Sequence, residues 1–314
     1  MARSSFWAIL VGRLLQGILV VFTVVTIVFV VSRVVGDPIR YLASDESTAE
    51  EIEALQDLFG LNDPLYEQYA DFVWDLARLE MGNSFLTGRS AVDEVRSRSV
   101  KTLQLGFAAL LFSLVLGVPL GVIAALRRGT PIDWFARFLA VIGQATPNFF
   151  LGLLAIFFFA VKLGWLPTGG GGGVFSTNMI MPVVVLGMLT SAGVMRLTRS
   201  AMIDVMGTDF IRTARAKGLR ERTVIRRHAL RHALLPVATI LGIQLGRLIA
   251  GSVIVETVFA WPGVGRLTIS AIQGSDYPVV QLSIMVIAST IVLANIVVDL
   301  SYRLIDPRIR AGNA

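Results

Sequence analysis

The stretch Thr102–Leu126 reads TLQLGFAALLFSLVLGVPLGVIAAL and carries no charged side chain. As a helix rising roughly 1.5 Å per residue it would extend about 37 Å, enough to cross a hydrocarbon core of about 30 Å. Outward from it lie five more apolar runs, Leu14–Val35, Phe138–Leu163, Met179–Met195, Leu234–Val255 and Val279–Tyr302. Together they predict an all-α polytopic membrane protein with six transmembrane helices. The mean hydropathy of +0.71 and 54% hydrophobic residues exclude a soluble fold. The chain has no cysteine, which removes disulfide frameworks and thiolate metal sites. The first run follows Arg3 and Arg13, is longer than a secretory signal and has no small-residue cleavage pattern close behind it, so it is expected to stay as an anchor.

The net charge of +6 is distributed unevenly. Arg127, Arg128 and Arg137, an arginine-rich segment near 208–236, and Arg303, Arg308 and Arg310 fall on one side of the spans if both termini are cytoplasmic. Such asymmetry is what the positive-inside rule requires and gives no reason to invoke nucleic acid. The loop Gly36–Arg98 on the other side holds 14 acidic residues against 5 arginines. This divides the chain into an anchor helix with an extracytoplasmic subdomain, 1–99, and a five-helix core, 100–314. In that loop Ser47 with Glu50 forms a capping-box pattern, and Asp63-Pro64 opens a helix with Leu65, Tyr69, Phe72, Val73 and Leu76 on one face. Two short amphipathic helices follow, too small for an independent core, which pack on the spans or on a partner that delivers substrate.

Breaks in the spans point to bends. Pro147, within Gln144-Ala145-Thr146-Pro147-Asn148, and Pro119, between Gly117 and Gly121, each remove a backbone hydrogen bond and free carbonyls for other partners or a wet cavity. Gly169–Gly173 reads as a flexible outer linker.

Between the fourth and fifth runs, Thr208 stands as the cap of a helix that begins acidic with Asp209, ends near Lys217 and stops at Gly218. A second helix starts near Glu221. The positive-inside rule accounts for the charge of this segment but not for its capped helix, glycine turn and second helix. That order describes a protruding surface on which a cytoplasmic motor could dock.

Polar residues inside spans are costly and mark a solute path or a structural pair. Gln244 and Arg247 lie in the fifth run, Asn295 and Asp299 in the sixth. Arg247 suits either an anionic group of a solute or a structural ion pair with an acid such as Asp299 or one on a partner chain. Glu256, Phe259 and Trp261 follow the fifth run, where an interfacial aromatic belt, a lid over the path and a contact for a binding protein are all open readings. No phosphate-binding Gly-Lys-Ser/Thr loop or His-Glu-x-x-His pair occurs, and the two histidines, His228 and His232, have no cysteine to complete a metal site. The chain is not read as an enzyme, and its energy source must lie elsewhere.

Several motifs resemble one family along nearly the whole chain. They are Gly36-Asp37-Pro38, Phe59-Gly60-Leu61 with Asp63-Pro64-Leu65, Met81-Gly82 with Ser84, Pro119-Leu120-Gly121, Arg212-Thr213-Ala214-Arg215-Ala216-Lys217-Gly218-Leu219, Arg227-His228-Ala229-Leu230-Arg231, Glu256-Thr257-Val258-Phe259 with Trp261-Pro262-Gly263, and Asp306-Pro307-Arg308. Together they resemble the permease subunits of dipeptide and oligopeptide importers of the ATP-binding-cassette class, with a type I importer fold. The resemblance implies a prokaryotic inner-membrane protein paired with a second, similar permease, two ATPase subunits that hold ATP and Mg, and an extracytoplasmic substrate-binding protein. It makes the segment at about 200–232 the coupling loop. Phe210, Ile211 and Ala214 would then supply apolar contacts to the ATPase, Arg212, Arg215 and Lys217 charge pairs, and Gly218 the turn. Arg212 and Thr213 stand where the broader superfamily has Glu and Ala, so no role for that glutamate carries over. Path candidates are Gln144, Pro147, Asn148, Gln244, Arg247, Glu256, Phe259, Trp261 and Asn295. Substrates in the family extend to glutathione, nickel complexes and oligosaccharides. A carrier driven by an ion gradient and a membrane scaffold are the readings from other classes.

Overall fold

A computed structural model describes residues 6–34, 48–58, 62–173 and 176–305. Gly36-Asp37-Pro38, Ser47, Phe59-Gly60-Leu61 and Asp306-Pro307-Arg308 lie outside these residues. The helices are α1 (Phe6–Val34), α2 (Ala49–Leu58), α3 (Leu65–Arg78), α4 (Ala91–Leu126), α5 (Pro131–Ala145), α6 (Asn148–Ala155), α7 (Ile180–Met206), α8 (Asp209–Ala216), α9 (Leu230–Val258), α10 (Val264–Gln273) and α11 (Tyr277–Ile305). Among the described residues, four helices are long and apolar enough to cross a membrane, or five if one bent pair counts as a span. The fifth run read from sequence lies within α9, a continuous helix of 29 residues.

That bent pair is α5 with α6 and its continuation Ile156–Lys162. The single kinked span expected over Phe138–Leu163 is instead two helices meeting at 104°. The cause is local. Thr146 adopts an extended conformation ahead of Pro147, as steric clash with a proline ring demands, and Pro147 then becomes the N-cap residue of α6. Pro119, by contrast, is carried inside a continuous α4.

The chain forms two compact units, one centred on Leu103–Trp261 and the other on Ser4–Thr102 with Pro262–Leu293. The second extends beyond the subdomain expected at 1–99, because residues of α10 and α11 share a core with α1, α3 and the start of α4. Val25, Phe29, Phe72, Met81, Val95, Val264 and Leu282 are all buried in it. Tyr69, Val73 and Leu76 pack against this core as the amphipathic pattern required, whereas Leu65 is exposed. The capping box is real but sits one residue later: the Thr48 amide donates to Glu51 Oε2 at 2.9 Å and the Glu51 amide to Thr48 Oγ1 at 3.3 Å. Met81-Gly82 with Ser84 builds a tie. Ser84 Oγ donates to Asp276 Oδ2 at 2.5 Å and the Phe85 amide to Asp276 Oδ1 at 3.1 Å, so a buried carboxylate joins this loop to the turn before α11.

In the first unit α7 is the central helix, packed against α9, α5 and α6. It also meets α4 at close range. A Cβ on Gly117 would lie 2.7 Å from the Ser191 carbonyl oxygen, and one on Gly121 2.6 Å from that of Met195. Small residues one turn apart let two backbones approach closely in lipid, where no hydrophobic driving force holds helices together.

Candidate coupling surface and polar crossing

α7 gives way at Gly207 to Thr208, whose extended backbone starts α8 as expected. Its hydroxyl does not cap an amide of α8; it donates back to the Val205 carbonyl at 2.6 Å. The end of α8 follows the sequence reading. Gly218 has φ +75°, and its amide donates to the Arg215 carbonyl at 2.9 Å. After this left-handed residue the chain re-enters a helix at Glu221, passes through a wider π-type segment, Val224–Ala229, and continues as α9.

Eight residues cannot hold a helix alone in water, so α8 depends on what it buries. It buries Ile211, at 0% exposure, and Ala214 against Ala201, Met202, Val224, Ala229 and Ala233. This corrects the expectation that Ile211 and Ala214 face a partner: they hold α8 to its own chain. The outward side presents Asp209, Arg212, Thr213 and Lys217, with Arg212 73% exposed and bonded to Asp209 Oδ1 at 3.0 Å. Phe210 is also exposed, its ring 4.9 Å from that of His232. Arg215 spans the glycine turn in a two-pronged contact with Glu221, at 2.7 and 3.1 Å. That guanidinium holds the Glu221 carboxyl below the usual carboxylate range. The structure thus leaves Phe210, Arg212 and Lys217 facing outward and occupies Arg215 within the loop.

The path candidates divide into two groups. Gln144 of α5 and Gln244 of α9 converge on Gly193 of α7: a Cβ placed there would be 3.8 Å from Gln144 Nε2 and 3.6 Å from Gln244 Nε2. A Cβ at residue 193 would make ordinary contact with both amides. One turn beyond Gln244, Arg247 is exposed on this single chain, and Thr190 and Ser191 are buried polar neighbours of Gly193 along α7. Asn148, just past the bend, keeps a buried Oδ1 with no hydrogen-bond partner among the described residues. Pro147 is exposed at the bend, and Asn295 is exposed on α11 with no described contact to the crossing.

Glu256, Phe259 and Trp261 form the second group, and all three are buried, at 0%, 1% and 0% exposure. They are not a surface belt. The Glu256 carboxylate accepts from Ser252 Oγ at 3.1 Å. Ala260, at φ +50°, turns the chain so that the Trp261 amide donates to the Glu256 carbonyl at 2.8 Å, and both aromatic rings enter the core beside Leu105, Leu186 and Leu248. The glycine run is part of this corner rather than a loose linker. The Gly170 amide donates to the Phe259 carbonyl at 2.8 Å, Asn178 Nδ2 donates to the Gly169 carbonyl at 3.0 Å, and a Cβ on Gly169 would lie 2.0 Å from the Phe259 oxygen. Glycine is required here because two backbones touch.

One polar constellation had no signal in the sequence reading. Asp133, 1% exposed in the first turn of α5, accepts from Arg199 Nε at 2.7 Å and Nη2 at 2.9 Å. It also accepts from the Gly129 amide at 3.0 Å and lies 3.5 Å from Arg137 Nε. Proline followed by aspartate suggests a helix start, but nothing in the spacing points to an arginine 66 positions away.

Residues 117–311 match the family model described as binding-protein-dependent transport system inner membrane component, and residues 6–105 match the model for the N-terminal part of such membrane components. The chain is 39% identical over 301 residues to the glutathione transport system permease protein GsiC of Escherichia coli O6:H1, a match covering 96% of this chain and 98% of that protein. The protein of the same name from Shigella dysenteriae serotype 1 matches to the same extent. Among solved structures, an inward-facing form of the MetNI methionine ABC transporter aligns with a TM-score of 0.55 at 20% identity, over 68% of this chain and 96% of that one. It bears out the type I importer fold. ATP hydrolysis in this family lies on separate subunits and substrate reaches the permease from a binding protein, which sets aside the gradient-driven carrier and the scaffold. This chain belongs to the binding-protein-dependent transport system inner membrane components, as a multi-pass permease subunit of an ABC importer.

Proposed function

We propose that this permease passes short peptides or peptide-like solutes with a free carboxylate, and that it does so beside a second, similar permease, above two ATPase subunits that hold ATP and Mg. Both termini and the α8 loop lie on the cytoplasmic side, where the arginines of 127–137 and 208–236 accumulate. The observation that carries the solute assignment is the crossing at Gly193, where the carboxamides of Gln144 and Gln244 both come close to the α7 backbone, with Arg247 exposed one turn beyond Gln244 on α9. Carboxamides exchange hydrogen bonds with peptide groups, and a guanidinium takes a carboxylate in two-pronged fashion. The relatives named for glutathione transport agree with this chemistry, since glutathione is itself a peptide with free carboxylates.

On the cytoplasmic side, Phe210, Arg212 and Lys217 offer α8 to an ATPase groove, and movement of α8 reaches the spans through its buried Ile211 and Ala214. The solute assignment is tested by uptake into proteoliposomes containing the assembled importer, with free and carboxyl-amidated forms of one peptide. A charge-assisted contact is worth about 1.5–3 kcal/mol, so Arg247→Gln is expected to reduce uptake of the free form by about tenfold or more and to spare the amidated form. Equal losses for both would make Arg247 a structural residue and refute the assignment.

A further inference from the structure

The seam between α5 and α7 is unusually smooth. Ala136 and Ala140 of α5 lie in one buried cluster with Ala192 and Met195 of α7. Methyl groups interdigitate shallowly, so such a seam sets a short distance between helices while resisting sliding weakly. Directional contact along this seam comes from Asp133 and Arg199. Both carboxylate oxygens are engaged: Oδ1 by Arg199 Nε, Oδ2 by Arg199 Nη2 and by the Gly129 amide. A two-pronged pair of this kind fixes orientation as well as distance. The carboxylate is 1% exposed, so water cannot replace the guanidinium if the helices slip.

The position of the pair gives it a mechanical meaning. Arg199 stands on α7 next to Ala201 and Met202, the residues on which Ile211 and Ala214 of α8 rest. At its other end α5 carries Gln144 to the crossing with Gly193 and Gln244, followed by the 104° bend at Pro147. We propose that Asp133 and Arg199 are positioning residues that lock α5 in register with α7, so that a displacement of α8 is delivered along α5 to the polar crossing. This rests on the coupling role given to α8 and the path role given to the crossing. Without the pair α7 would move alone, sliding on its alanine seam, and hydrolysis would continue while Gln144 of α5 stayed in place.

The test uses the assembled importer in proteoliposomes and two readouts. The first is the number of ATP molecules hydrolysed per solute imported, which should rise severalfold in Asp133→Asn and by less in Arg199→Lys, where one charged contact survives without the fork. The second is the separation of spin labels on cysteines introduced at Trp134 of α5 and Asp204 of α7, both exposed, in a chain with no cysteine of its own. In the parent this separation should be the same with and without ATP; in Asp133→Asn it should change on ATP binding. Parental stoichiometry, or a separation as constant in the variant as in the parent, overturns the proposal. If Asp133→Asn fails to assemble, Arg199→Lys decides by the same two readouts. A variant that only lowers the yield of complex, with stoichiometry unchanged, marks the pair as structural and equally overturns it. If the Asp204 label of the parent does not move relative to the ATPase, the coupling role of α8 itself fails, a result distinct from the others.

Discussion

Adding one methyl group at either of two glycines of α4 should have opposite effects. Gly121 faces the α7 backbone: an added Cβ would sit 2.6 Å from the Met195 oxygen, 2.7 Å from Thr198 Cβ and 3.1 Å from the Arg199 nitrogen. Reaching an ordinary carbon contact of about 3.5 Å requires the two helices to part locally by about 0.8 Å, and overpacking of this kind costs about 1–3 kcal/mol. Gly106, on the same helix, would place its Cβ 3.7 Å from Ile249 Cγ1, an ordinary contact. Alanine there clashes with nothing and gains helix propensity of up to about 1 kcal/mol. The propensity gain is common to both substitutions and cancels between them, so the two variants should differ by the overpacking cost of about 1–3 kcal/mol, with Gly106→Ala at or above the parent and Gly121→Ala the less stable. Reversible unfolding of the purified chain in mixed micelles, followed by tryptophan fluorescence, measures both against the parent. If Gly121→Ala were as stable as Gly106→Ala, the close backbone approach of α4 and α7 would be wrong, and with it the account of why glycines occupy residues 117 and 121.

Two further outcomes follow from the corrected sites. Trp261 is fully buried, so Trp261→Ala should lose about 3–5 kcal/mol and sharply reduce the amount of folded chain; parental stability would restore the surface-belt reading. Glu221 has its carboxyl pKa lowered by Arg215 in the folded loop, so its stabilising contribution is complete at neutral pH, above the unfolded value of about 4.3, and is lost as pH falls through the carboxylate range. Hydrogen-exchange protection around Gly218 should drop between neutral and acidic pH in the parent, weakly because both side chains are exposed and more weakly still in high salt, and should show no such drop in Glu221→Gln. An identical pH response in the two would remove the pair from the loop's stability.

Much of the architecture was legible because membrane insertion is a one-dimensional problem. Length without charge locates the membrane stretches of α1, α4, α7, α9 and α11 but not their polar extensions, such as the start of α4 and the end of α7, and glycine at 218 stops α8 because left-handed backbone is local chemistry. The capping box was misplaced by one residue because Ser47-x-x-Glu50 and Thr48-x-x-Glu51 overlap and both fit the pattern. Other readings failed over which side a residue faces. Ile211 and Ala214 have the spacing of a docking face, yet a short helix beside its own bundle buries that face first. Glu256, Phe259 and Trp261 have the composition of a membrane surface, yet the turn at Ala260 folds them inward against glycine backbone.

The sequence by itself determined that this is a helical membrane protein, where most of its apolar stretches fall, and that its arginine-bearing loop turns at a left-handed glycine. Each depends on runs, breaks and charges that act within a few residues of one another. Only the tertiary structure decided that α5 and α6 part at a sharp angle, that two glutamines approach Gly193, and that Asp133 reaches Arg199. Those are contacts between helices far apart in the chain, and in a bundle of nearly uniform apolar surface many rotations of each helix satisfy the same hydrophobic pattern. Backbone approach at glycine and a few buried polar pairs select among them.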